Sequence, residues 1–298
     1  MKELGRLITA MVTPFNEKGE VDYDQAKKLA LALLKSGSEG LVLAGTTGES
    51  PTLLHKEEEL TLFKEVKKAV GNKGSIIANT GSNSTAEAVE STQDAEKLGV
   101  DACLLVVPYY NKPSQEGLYQ HFKTIAESTK LPCILYNIPI RTITNLNAET
   151  TIRLSKIPNI IGVKEGSGNL VQAAKIIKGA KKGFLVWSGD DADTLPMLSI
   201  GGYGVISVTS HLAGKQMSEM IYSFVKGDTK KAAEIHMQLL PLFTSLFLVS
   251  NPQPVKYALN KIGFNVGKPR LPLVEPDDAT AALIDEALKQ CKIDLPVK

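Results

Sequence analysis

Short apolar segments alternate with amphipathic segments along most of this chain, and this alternation limits the possible folds more than any other feature. The stretches between the apolar runs place apolar residues at helical spacing. Runs that are apolar throughout are typical of strands in a parallel sheet covered on both faces. Eight strand and helix units therefore predict an α/β fold, a (β/α)8 TIM barrel, over residues 1–226. The apolar runs are residues 7–12, 40–44, 75–80, 102–107, 133–138, 160–164, 184–188 and 204–208.

The main competing fold is an open, doubly wound sheet, which usually has fewer strands and often a glycine fingerprint after the first one. Here the first run continues as Thr-Pro-Phe at residues 13–15, which is no phosphate cradle. After residue 226 the strand-like runs stop and only helix-like segments follow. We therefore predict a C-terminal helical domain at residues 227–298.

Charge, cysteines and histidines exclude several classes of protein. A net charge of +2 without a long basic run predicts no nucleic-acid partner. No segment has the length of a membrane span or the pattern of a signal peptide, so we expect no membrane partner and a cytoplasmic location. The three cysteines lack C-x-x-C spacing and the four histidines lack metal-ligand spacing, so we expect no disulfide framework, no metal and no cofactor.

The sixth apolar run delivers a lysine and then passes into a glycine-rich turn. Strand alternation places Lys164 on the same face as Gly162 and Gly166, so we expect free space for a ligand around the amine. Most lysines at strand ends simply reach solvent. Alternatively, an amine held away from water loses its proton more readily and can attack a carbonyl to form a Schiff base.

Working residues of such barrels lie where the strands end, and other strand ends deliver hydroxyl groups there. After strand two, Thr46 and Thr47 lie between glycines, a turn that suits a small carboxylate or simply caps the next helix. Strand four ends in two tyrosines, Tyr109 and Tyr110, and strand five directs Tyr136 to the barrel mouth.

After strand seven, three acids are expected to cap the next helix and to repel a phosphate: Asp190, Asp191 and Asp193. The predicted mouth thus holds one amine, several hydroxyls and one guanidinium, that of Arg141. This set favours imine chemistry on an α-keto acid. The lysine attacks the keto carbon, a phenol moves protons, and threonine hydroxyls with backbone amides hold the carboxylate.

Four segments, in this order and spacing, resemble the dihydrodipicolinate synthase family of pyruvate-dependent class I aldolases. The resemblance extends from about residue 7 to about residue 260. It implies a lyase that condenses pyruvate with aspartate semialdehyde, on the diaminopimelate route to lysine. The segments are Gly45-Thr46-Thr47-Gly48-Glu49-Ser50, Pro108-Tyr109-Tyr110-Asn111, Tyr136-Asn137-Ile138-Pro139 with Arg141-Thr142, and Gly162-Val163-Lys164-Glu165.

The resemblance also implies roles for individual residues. Lys164 matches the Schiff-base lysine and Tyr136 the tyrosine that moves protons at the imine. Thr46 and Tyr110 complete a hydroxyl relay, and Tyr110 in this family comes from the neighbouring subunit. A dimer is then needed for a complete site, and a homotetramer built from two tight dimers is expected.

The substrate-binding positions follow in the same way. Thr47 and Ile206 match the positions that bind pyruvate. Arg141 matches the arginine that holds the carboxylate of aspartate semialdehyde, a task suited to its planar fork.

Lysine-inhibited family members have an allosteric pocket, which makes lysine a candidate feedback inhibitor here. Glu58 stands where some members have histidine or lysine, and an acid there could bind the lysine ammonium. The alternative is that residues 56–59 form a solvated helix face. The other residues that match the pocket are Ser50, His55, Asn83, Glu87 and Tyr109.

Two other functions stay open. Sibling aldolases, N-acetylneuraminate lyase and 2-keto-3-deoxy-sugar-acid aldolases, resemble this chain in the lysine and the tyrosine. They usually lack the Tyr-Tyr-Asn loop and the arginine two residues after Tyr-Asn-x-Pro, so Arg141 is the discriminating residue. A non-catalytic barrel that binds a keto acid is also compatible with the fold. It would not need the proton relay of Thr46, Tyr110 and Tyr136.

Overall fold

The computed structural model describes residues 3–296, in which eight parallel strands follow one another in chain order around a closed barrel. All strand residues are buried except three that are half-buried, which explains why the strands are apolar on both faces. The predicted (β/α)8 barrel is therefore confirmed. The strands are β1 (Leu7–Ala10), β2 (Gly40–Leu43), β3 (Ser75–Asn79), β4 (Ala102–Val106), β5 (Cys133–Asn137), β6 (Ile160–Glu165), β7 (Leu185–Ser188) and β8 (Gly204–Ser207).

Helices fill the intervals between the strands and form the end of the described chain. Several begin at a side chain that accepts a hydrogen bond from the first turn, for example Asp22 before α1 and Ser114 before α4. The helices are α1 (Tyr23–Lys35), α2 (Leu60–Val70), α3 (Thr85–Lys97), α4 (Gln115–Glu127), α5 (Pro139–Thr142), α6 (Ala148–Leu154), α7 (Leu170–Gly179), α8 (Thr194–Ser199), α9 (Ser210–Val225), α10 (Thr229–Ser245), α11 (Gln253–Lys261) and α12 (Asp278–Gln290).

The described chain divides into two compact units. One is residues 76–206, hereafter the central unit, in which β4, β5, β6 and β7 pair in parallel. The other combines residues 3–75 with residues 207–296, hereafter the terminal unit. In it β1 pairs with β2, α9 packs on β1, and α10 packs on α9. The boundary predicted at residue 226 falls between α9 and α10 and stays a prediction.

Within residues 3–296, no helix combines the length and the apolar character that crossing a bilayer requires.

Candidate active site

Lys164 and Tyr136 lie side by side in the central unit. They are register partners on β6 and β5, and Lys164 Nζ lies 4.3 Å from the centroid of the Tyr136 ring. Each side chain is only 6% exposed. The alternative of a lysine that reaches solvent is therefore wrong. A cation over a phenol face is attracted to it, and the attraction grows as water is removed.

The positions of Gly162 and Gly166, two residues before and after Lys164, hold no free space. A β-carbon at Gly162 would lie 2.4 Å from the Leu185 carbonyl oxygen and 2.6 Å from Trp187. One at Gly166 would lie 3.0 Å from Ile138. The expectation that these two glycines leave ligand space was wrong: Gly162 allows close packing against the Leu185 backbone and the Trp187 ring, and Gly166 against Ile138.

A buried polar network supports the pair from the opposite face of the same strands. The Asn137 amide donates to both carboxylate oxygens of Glu165 at 3.1 Å, and Ser167 N–H donates to the same carboxylate at 2.8 Å. Asn137 also accepts a hydrogen bond from Leu146 N–H. This network was not predicted from the sequence. Its signal was one polar residue directly after each of Tyr136 and Lys164 in otherwise apolar strands.

Arg141 lies on α5, directly after β5, and its side chain is exposed. The turn around it is closed by Thr142, whose hydroxyl donates to the carbonyls of Ile138 and Thr144. An exposed guanidinium on a fixed turn is suited to a carboxylate that arrives from solvent.

The loop after β4 presents Tyr110 to solvent. Its side chain is 89% exposed, and its backbone has a left-handed φ of 73°. Reciprocal bonds fix the loop: Asn111 donates to the Asn83 carbonyl and Asn83 to the Tyr109 carbonyl. The left-handed conformation of Tyr110 costs energy in a non-glycine residue, and such residues cluster at functional sites. Within one chain, the structure does not bury Tyr110 beside Tyr136.

In the terminal unit, Thr46 and Thr47 follow β2. Thr47 is buried, and its hydroxyl oxygen accepts a hydrogen bond from the Asn251 amide at 2.7 Å. A β-carbon at Gly48 would lie 3.0 Å from Ala44, so the turn needs glycine there. The residue that precedes the next helical turn, Ser50–Thr52, is Glu49, and no side chain caps this turn. The helix-cap alternative for the threonines is therefore wrong.

Two other strand ends complete the predicted set. Ile206 is buried on β8 in the central unit. After β7, Asp190 accepts a bond from Ala192 N–H, but Asp193, which directly precedes α8, makes no capping bond. The capping expectation was wrong for Asp193, whose pKa is raised by burial and by the charge of Asp190.

Glu58 is paired with a residue that the sequence analysis did not consider. Its carboxylate binds both terminal nitrogens of Arg270, at 2.8 and 2.6 Å, and accepts from Leu54 N–H. The bonds from Arg270 lower the pKa of Glu58. With 16% of its side chain exposed, Glu58 is not part of a solvated face, and its carboxylate is already engaged.

The other residues of the predicted lysine pocket fall into two local groups. In the terminal unit, Ser50 and His55 each bind one carboxylate oxygen of Glu59 at 2.9 Å. In the central unit, Asn83 donates to the Tyr109 carbonyl, and Glu87 accepts from the Ser82 hydroxyl. Glu59, which links Ser50 to His55, was missed.

A closed parallel barrel with a buried lysine against a tyrosine ring is the arrangement of a lyase of the class I aldolase type. Residues 3–291 match the profile of the dihydrodipicolinate synthetase family, and the chain belongs to that family. A 4-hydroxy-tetrahydrodipicolinate synthase from Dehalococcoides mccartyi is 68% identical over 298 residues, all of both chains. One from Moorella thermoacetica is 56% identical and covers 96% of this chain and 98% of its own.

A solved structure extends the comparison to three dimensions. The dihydrodipicolinate synthase (DHDPS) from Cyanidioschyzon merolae, crystallised with lysine bound, is 48% identical to this chain. It superposes with a TM-score of 0.95 and covers 96% of this chain and 98% of its own.

Proposed function

We propose that this chain catalyses the 4-hydroxy-tetrahydrodipicolinate synthase reaction, the condensation of pyruvate with aspartate semialdehyde on the diaminopimelate route to lysine. The observation that carries the proposal is the buried Lys164 amine, 4.3 Å from the Tyr136 ring centroid. Family membership and the synthases that resemble the chain over its whole length support it.

The mechanism begins at the Lys164 amine, which attacks the keto carbon of pyruvate. Loss of water gives the imine, and removal of a methyl proton gives the enamine, whose carbon attacks the aldehyde. The amine of the second substrate then displaces Lys164 and closes the ring. Tyr136 donates and accepts the protons of these steps, with Thr46 and Tyr110 as relay.

The substrate-binding roles follow from the same resemblance to the family. Thr47 and Ile206 hold pyruvate, and Arg141 holds the carboxylate of aspartate semialdehyde. Imine formation needs no prosthetic group, so no cofactor is part of the proposal.

We also propose a homo-oligomer, a homotetramer of two tight dimers, in which Tyr110 serves the partner's site. Its support is the apolar surface of the central unit: Tyr110 is 89% exposed, Ile140 84% and Ile143 66%. Light scattering at assay concentration tests this assembly, and a monomer that is fully active would contradict it. The cytoplasmic location stays a prediction.

Feedback inhibition by lysine is proposed for the same reaction. Its support is the lysine bound in the Cyanidioschyzon merolae DHDPS and the matching residues Ser50, His55, Asn83, Glu87 and Tyr109. In this proposal Glu58 pairs with Arg270 and does not bind lysine directly. Titration of the activity with lysine should show inhibition at millimolar concentration, and full activity there would contradict the proposal.

A coupled assay tests the main proposal. Pyruvate and aspartate semialdehyde are supplied with the next reductase and NADPH, and the wild type is compared with Arg141→Ala. Turnover that collapses in the variant is the expected result. If turnover is absent but borohydride still traps pyruvate on Lys164, the enzyme is a sugar-acid aldolase. If trapping is also absent, a keto-acid-binding barrel remains.

A further inference from the structure

One ion pair of the terminal unit is almost completely withdrawn from water. Lys256 Nζ, on α11, lies 2.6 Å from Glu49 Oε1, and each side chain is 1% exposed. The other carboxylate oxygen accepts from Arg270 N–H at 2.8 Å. A buried ion pair often adds little net stability, because removing both charges from water offsets their attraction. The structural role of this pair lies in what it holds in place.

Glu49 ends the turn of residues 45–49, which contains Thr46 and Thr47. Its backbone is left-handed, with a φ of 60°, a conformation that is unfavourable for a residue with a β-carbon. Such a conformation persists when its surroundings over-determine it. The ion pair is one such constraint, since it fixes the side chain of the strained residue itself.

A second contact reaches the same turn from the same part of the chain. Asn251 lies two residues before α11 and donates to the Thr47 hydroxyl oxygen at 2.7 Å. The Lys256 ammonium also makes a cation–π contact, because its Nζ lies 4.0 Å from the centroid of the Phe15 ring. Burial lowers the pKa of Lys256 to about 8, and Glu49 opposes this effect.

We infer that Lys256 is a positioning residue for pyruvate: its ion pair with Glu49 holds the 45–49 turn in the conformation that presents Thr47 to the substrate carboxylate. The inference rests on the proposed function, which assigns pyruvate to this turn. It gives α11 a task in substrate binding, although α11 contributes no residue to the proposed chemistry.

The test is Lys256→Met, which removes the ammonium and keeps most of the apolar stem. We expect the KM for pyruvate to rise at least about tenfold, with a smaller fall in kcat. Borohydride trapping should fall at low pyruvate and recover at saturating pyruvate. Lys256→Arg restores a cation and should recover most of the affinity. The control is Lys261→Met on the same helix. The ion pair of Lys261 with Asp285 is partly exposed, with 53% and 27% of the two side chains accessible, and its loss should leave KM unchanged.

An unchanged KM in folded Lys256→Met would overturn the inference, and so would a lower kcat alone. If that variant does not fold, Glu49→Gln serves instead, because it keeps the side-chain shape and removes the charge. A raised KM is again expected, and an unchanged one overturns the inference. If borohydride does not trap pyruvate on the wild type, the proposed function fails first and this inference with it.

Discussion

Tyr136 and Lys164 are register partners on adjacent barrel strands, and the lysine Nζ lies 4.3 Å from the centroid of the phenol ring. The residues that follow them, Asn137 and Glu165, are bonded to each other on the opposite face of the same strands. Positions held by paired strands are more precise than positions held by loops. The separation of amine and phenol is therefore set by the barrel itself.

Replacing Tyr136 with phenylalanine should separate the role of the hydroxyl from that of the ring. The ring still packs against Lys164, so the melting temperature should change little. Loss of the phenolic proton donor should lower kcat by about 10²–10⁴-fold. Steady-state kinetics measure this effect, and a kcat within about twofold of the wild type would mean that another group moves the proton.

Mixing two inactive variants tests whether Tyr110 acts across subunits. Tyr110→Phe keeps Lys164, and Lys164→Ala keeps Tyr110, so a mixed dimer contains one complete site. Unfolding and refolding the mixture should restore about a quarter of the wild-type rate, since half of randomly formed dimers are mixed. Each variant refolded alone is the control. A mixture no more active than its components would place Tyr110 in its own chain's site.

Gly162→Ala should disturb the strand that holds Lys164. The new methyl group would meet the Leu185 carbonyl and the Trp187 ring, so we expect a loss of about 1–3 kcal/mol in the free energy of unfolding. Urea unfolding measures it. Gly117→Ala in α4 is the matched control, because the nearest atom there lies 3.4 Å from the new carbon. Equal stability of the two variants would contradict the packing role of Gly162.

Acid should destabilise the fold through His211. This side chain is fully buried, its Nε2 accepts from Val12 N–H, and its Nδ1 donates to the Val208 carbonyl. A second ring proton would face the Val12 N–H, and burial lowers the pKa of His211 from 6.5 to about 4. The unfolded chain therefore binds more protons than the folded one between these values, and stability is lost as the pH falls through this window.

From this one group we expect a loss of about 2 kcal/mol between about pH 7.5 and about pH 5. Denaturant titrations at the two pH values measure it. His121, whose pKa burial also lowers to about 4, adds to the same trend. In His211→Gln the decline with pH should be shallower, whatever the starting stability. An unchanged slope would assign the acid sensitivity to other groups.

The barrel was predictable because local signals carry it. The strands are mostly apolar. The longer helices place their apolar residues at helical spacing, and both patterns are local in the sequence. The positions of Lys164, Tyr136 and Arg141 at strand ends followed from the same alternation. Their roles came from the resemblance to a known family, and the structure adds the burial of Lys164 and Tyr136 that the chemistry needs.

Partners distant in sequence were not predictable. The sequence around Glu58 predicts a ligand or a solvated acid because Arg270, its partner, lies 212 residues away. The packing around Gly162 was not predictable for a similar reason. Trp187 comes from the next strand, and no local pattern places its ring beside Gly162. Alternation predicts the face on which a residue lies and not what fills that face.

Because Glu49 is paired with Lys256, the 45–49 turn depends on residues that the ribosome adds much later. The groups that hold the 45–49 turn, Asn251, Lys256 and the backbone of Arg270, are all made more than 200 residues after it. A chain still attached to the ribosome therefore lacks the full set of these bonds until residue 270 has emerged. Premature termination before residue 251 would leave Lys164 in the polypeptide but remove every one of these restraints on the turn.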